Sequence, residues 1–123
     1  MKGKNMDLNN ELFQKQIAPF SFMKLDDSYM LQLQTGEYLM DVFATREEEG
    51  FLGNGYDWES LATVFLEEEF DGDPEEFEFD SEADTFIIYS ESGETLAAFA
   101  VAFKAACENR VQILDLFSRA ELQ

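Results

Sequence analysis

The chain has 123 residues, the size of one domain with a single buried core, and carries 27 Asp and Glu against 8 Lys and Arg, a formal net charge of -19. That charge repels nucleic acid and anionic membranes and suits cationic partners, a basic protein or metal ions. A composition 46% hydrophobic and 15% aromatic, with thirteen Phe, excludes an acidic disordered chain and predicts a folded core under a charged exterior.

The start, Met1-Lys2-Gly3-Lys4, is positive, but Asp7, Asn9, Asn10 and Glu11 stand where a secretory signal needs an apolar run. No apolar stretch approaches the roughly 18 residues of a membrane span. Residues 1–15 are expected to be a flexible N-terminal segment, with residues 16–123 as the single domain. Phe20 to Leu25 alternates apolar and polar residues and Tyr29 to Gln34 follows a turn at Asp26-Asp27-Ser28, which predicts an antiparallel hairpin. Tyr38 to Glu49 fits a helix ended by Gly50, with a strand over 38–44 as the alternative. Asp57 is the expected N-cap of a helix whose buried stripe is Trp58, Leu61, Ala62 and Phe65. Glu67, Glu68 and Glu69 end that helix at the negative pole of its dipole, so local stability does not account for them.

Beyond the Asp71-Gly72-Asp73-Pro74 loop, Glu76 to Asp80 alternates strictly and Thr85 to Ser90 is apolar enough for a central strand. Ser92 caps a helix along Leu96, Phe99, Ala100, Phe103 and Cys107, and Val111 to Ala120 makes a shorter one. The expected fold class is α+β: a roughly four-stranded antiparallel sheet with three to four helices on one face.

The chemistry is defined largely by what is missing. There is no histidine, so the commonest general base and metal ligand are absent. The lone thiol, Cys107, lies on an apolar helix face and reads as structural; it allows no internal disulfide, which suits a cytoplasmic protein. No catalytic residue, cofactor or metal is expected. Asp71, Asp73, Glu75 and Glu82 match part of a calcium-loop count, but Glu76 stands where that loop needs glycine. Gly53-Asn54-Gly55 before a helix could cradle a phosphate, yet Asp57 and Glu59 would repel it; a tight turn is the favoured reading.

The acid is concentrated. The 57 residues between Arg46 and Lys104 include 18 Asp and Glu and no Lys or Arg. The expected contact surface is an acidic rim of Glu47, Glu48 and Glu49 with Glu67, Glu68, Glu69, Asp71 and Asp73. Phe70, flanked by acids, reads either as an aromatic anchor for a partner or as a core residue.

Three segments stand apart from a generic pattern: Phe51-Leu52-Gly53-Asn54-Gly55-Tyr56-Asp57-Trp58-Glu59-Ser60-Leu61-Ala62, Phe79-Asp80-Ser81-Glu82-Ala83, and Leu114-Asp115-Leu116-Phe117-Ser118-Arg119-Ala120-Glu121-Leu122. Together they resemble the immunity proteins of bacterial polymorphic toxin systems, and specifically the family called immunity protein 51. The resemblance runs from about residue 28 to 122 and is most specific at Gly53, Asn54, Gly55, Tyr56, Asp57 and Trp58; Tyr56 and Trp58 are expected to anchor the turn in or near the core. It implies a small cytoplasmic protein that binds a cognate toxin domain, often a nuclease, and blocks it. The acidic loop from Asp71 to Glu76 departs from the family pattern, which points to tuning for one partner. Three rivals remain: an acidic DNA-mimic or regulatory protein-binding module, a carboxylate-dependent enzyme and a calcium-responsive protein.

Overall fold

The computed structural model describes residues 11–123. Its strands are β1 (Ser21–Lys24), β2 (Tyr29–Gln34), β3 (Glu78–Phe79) and β4 (Thr85–Ser90), and its α-helices are α1 (Glu11–Ile17), α2 (Met40–Ala44), α3 (Gly55–Glu68), α4 (Gly93–Cys107) and α5 (Arg110–Phe117). The strands form one antiparallel sheet in the order β1-β2-β4-β3. This is the α+β architecture expected from the sequence, with one helix more than the upper expectation.

The added helix is α1. Most of the N-terminal segment expected to be flexible lies outside the described residues, but its last five, Glu11 to Lys15, begin α1, where Phe13 is buried with Ile17 one turn on. Gln14 binds the open edge of β1: its side-chain amide donates to the Phe22 carbonyl at 3.1 Å and its oxygen accepts from the Phe22 N–H at 3.4 Å. Two short apolar anchors among polar residues are a weak helical signal.

Strand register explains the core. Phe22 pairs with Leu31, Leu31 with Ile88, Leu33 with Phe86, and Ile88 with Phe79. These side chains share one face because strand residues alternate, and all except the half-buried Phe79 are buried. The Trp58 ring of α3 and the Phe103 ring of α4 both pack on Phe86 of this face. Trp58 is fully buried among Phe20, Tyr38, Phe43 and Phe103. Helix α5 packs against α3 and α4, and α2 packs against α5.

Other boundaries moved for local reasons. The segment Tyr38–Glu49 is helical, but split into α2 and a 3-10 turn over Glu47–Glu49 that ends at Gly50 with φ 111°. The strand expected over 76–80 is shorter, because Pro74–Glu76 forms a 3-10 turn capped by the Asp73 carboxylate. The short, acidic β3 edge resists pairing with another chain.

Candidate functional site

The glycine-containing turn before α3 is built around Asp57, and the sequence placed its cap wrongly. Asn54 is the N-cap; its side-chain oxygen accepts from the Asp57 N–H at 2.9 Å, and the Asp57 side chain reaches back to the Asn54 N–H at 3.4 Å. Asn and Asp at this spacing form a reciprocal box in which either can be read as the cap. The buried Asp57 carboxylate also accepts from the Leu52 and Gly53 N–H groups at 2.6 and 2.8 Å. The backbone donors that a phosphate would need are therefore already taken by a carboxylate.

Other residues of the motif help to build the turn and the core beside it. Gly53 has φ 78°, as a tight turn requires. A Cβ at Gly55 would collide with the backbone of Glu82 and Thr85. Trp58 lies at the core centre, and among the described residues its indole N–H has no hydrogen-bond partner. Tyr56 departs from expectation: the residue is 41% exposed, and Leu52 in the preceding loop is 69% exposed. Position in the first helical turn turns Tyr56 outward, a direction that the pattern of apolar residues does not reveal.

The predicted acidic rim divides between two elements. Glu47, Glu48 and Glu49 form the 3-10 turn after α2; Glu67 and Glu68 end α3, and Glu69 is its C-cap. Each run is tied to the C-terminal end of α5. Arg46 bonds Glu49 at 2.6 Å and the carbonyls of Phe117 and Ala120 at 2.5 and 2.8 Å. Arg119 binds Glu68 at 2.7 Å and Asp115 at 2.8 Å. The guanidinium bonds hold the carboxyls of Glu49, Glu68 and Asp115 below their usual range. Arg119 thus offsets part of the charge that helix α3 places at its own negative end.

Of the remaining candidates, Glu69 accepts from Gln112 at 3.4 Å, and Asp73 accepts from the Glu75 N–H at 2.9 Å. The Phe70 ring lies against Phe65, Phe77 and Phe99 at the margin of the core, which matches the core reading of this residue. Glu47, Glu48, Glu67 and Asp71 are exposed and carry no ion pair among the described residues.

A second acidic region was not anticipated. Asp27 in the β1–β2 turn, Glu75, Glu76 and Glu78 around the start of β3, and Glu91 beyond β4 line a concavity of about 780 Å³. Three distant parts of the chain meet there because the sheet topology places those strand ends side by side. Cys107 is buried on α4, and burial pushes its thiol well above the usual range. Among the described residues no helix is long and apolar enough to cross a membrane.

The described residues form a small α+β domain with carboxylates spread over its exterior. The family model described as immunity protein 51 matches residues 20–122, and the chain belongs to that family. No curated protein and no solved structure matches the chain. Membership implies a cognate toxin as partner.

Proposed function

We propose that this protein binds a cognate bacterial toxin domain in the cytoplasm and silences it stoichiometrically, without catalysis. The toxin is of the nuclease type, and the protein's carboxylates occupy its basic groove. Family membership over residues 20–122 carries this reading. Charge supports the nuclease part: an enzyme acting on a phosphate backbone needs a cationic surface, and this chain brings a formal charge of -19. The unpaired Glu47, Glu48, Glu67 and Asp71 of the predicted rim add to the field that draws a cation in. Such attraction lifts association toward about 10⁸–10⁹ M⁻¹s⁻¹ at low salt, a speed that matters against an enzyme lethal in few copies.

The test uses the toxic C-terminal domain of the protein encoded beside this gene, expressed with and without this chain. Protection is expected, together with a one-to-one complex whose Kd rises at least tenfold between about 50 and 500 mM NaCl. Equal killing in both strains would remove the reading. A tight complex indifferent to salt would keep the inhibitor and discard its electrostatic basis. A chromosomal DNA-binding protein as the sole partner in pull-downs would favour the DNA-mimic alternative.

A further inference from the structure

We infer that the toxin domain docks on the open face of the sheet, and that a Lys or Arg of a basic, partly apolar toxin segment enters the acidic concavity at the end of that face. The inference rests on the toxin-binding function proposed above and adds the surface and the chemistry of the segment that meets it.

The strands bury one face and leave the other partly open. Phe22, Leu31, Leu33, Phe86 and Ile88 are buried beneath the helices, whereas Met23, Met30, Gln32, Ile87 and Tyr89 alternate with them and keep partial exposure. Register aligns the open residues: Met23 lies beside Met30, Met30 beside Tyr89, and Tyr89 beside Glu78. That row crosses the whole sheet and passes from methionine through tyrosine into carboxylate. Tyr89 and Glu78 are also walls of the acidic concavity, so the apolar strip and the charged hollow are one continuous surface.

No ion pair among the described residues neutralises that hollow. Asp27, Glu75, Glu76, Glu78 and Glu91 are all exposed, and none has an ion pair among the described residues. The paired cations lie elsewhere, with Arg46, Arg110 and Arg119 joining α2, α3 and α5, and Lys104 bound to Glu108 at the end of α4. The occupant follows from complementarity. Methionine surfaces adapt to a protein partner, tyrosine supplies rigid contact area, and a charged margin selects partner and register. Five carboxylates exclude an anion. A single metal ion does not fit either, since no group of three or more acidic side chains among the described residues is disposed to hold one.

The experiment labels the methionine methyl groups of the whole chain with ¹³C and titrates it with the toxic domain encoded beside the gene. Met23 and Met30 signals are expected to shift on binding. Met40, which sits beneath Gly53 on the helical side, should not. A triple reversal, Glu76→Lys with Glu78→Lys and Glu91→Lys, is expected to weaken Kd about 100-fold, against less than about tenfold for Glu47→Lys with Glu48→Lys and Glu67→Lys. All six positions are exposed, and circular dichroism checks that both variants fold. A complex that leaves Met23 and Met30 unmoved, or that is weakened more by the helical-side variant, overturns the assignment alone. No complex at all overturns the proposed function, and the assignment falls with it.

Discussion

Gly55 and Glu82 approach so closely that a Cβ on the glycine would stand 1.9 Å from the Glu82 carbonyl oxygen. The Gly55 N–H donates to the neighbouring Ala83 carbonyl at 3.1 Å, and Glu82 forms an isolated bridge with Thr85. The first turn of α3 is thereby fixed on the turn that launches the central strand β4. Gly55→Ala forces helix and turn apart, since backbone atoms cannot rotate out of the way. A loss of about 3 kcal/mol is expected, read from the urea midpoint. An unchanged midpoint would show that the contact is not needed.

Trp58 and Tyr56 are two residues apart in the motif and face opposite environments. Trp58→Ala empties the centre of an aromatic cluster and should cost about 3–5 kcal/mol. Trp58→Phe should cost only about 1–2 kcal/mol, a volume effect, because the indole N–H has no partner among the described residues to lose. Tyr56→Ala, at a residue 41% exposed, should stay within about 0.5 kcal/mol. Thermal unfolding of the three variants checks the ranking, and a Tyr56 loss comparable with that of Trp58→Ala would refute it.

The Tyr38 hydroxyl donates to the Glu108 carboxylate, and the two groups respond to pH in opposite senses. Burial first, and Glu108 second, push the Tyr38 phenol above its ordinary range. The same hydrogen bond is the main cause holding the Glu108 carboxyl below its own. A raised phenol stabilises the fold fully below about pH 10, the unfolded value, and that contribution is lost as pH rises toward the folded value. A lowered carboxyl stabilises above about pH 4.5 and loses its contribution as pH falls through its folded value. Tyr38→Phe should therefore lower stability most between those two values and flatten both limbs of the stability–pH curve. Parallel limbs in wild type and variant would show that the pair does not titrate as described.

Salt should act on the free protein and on its complex with opposite sign. A net charge of -19 repels itself, so raising NaCl from about 20 to 300 mM, which shortens the screening length from roughly 20 Å to under 10 Å, should raise Tm by a few degrees. The same addition weakens capture of a cationic toxin. A falling Tm over that range would mean that the ion pairs, five among the described residues, outweigh the repulsion.

The sequence made some elements plain and hid others for physical reasons. Strand β4 and the Ser92 cap of α4 stood where the pattern put them, because a short apolar run between turns and a hydroxyl before a long apolar stripe are local signals. Helix α1 was missed because Phe13 and Ile17 span only one turn among polar neighbours. At Asn54 and Asp57 the motif was visible, but its reciprocal hydrogen bonds concealed which residue caps the helix. The acidic runs were legible as composition, whereas their neutralisation was not: that Arg119 reaches Glu68 depends on how α5 packs on α3. The concavity at the sheet end was the least accessible, since Asp27, Glu76 and Glu91 meet only through the order of the strands.

The distribution of ion pairs has one more consequence. Among the described residues the ion-paired cations sit with the helices and none lies at the sheet-end concavity, so charge is spread unevenly over the molecule as well as negative in sum. A positively charged body approaching within a few screening lengths exerts a torque on it, turning the strand ends forward before contact. Orientation would then be largely selected during approach, and fewer collisions would be spent on the wrong side.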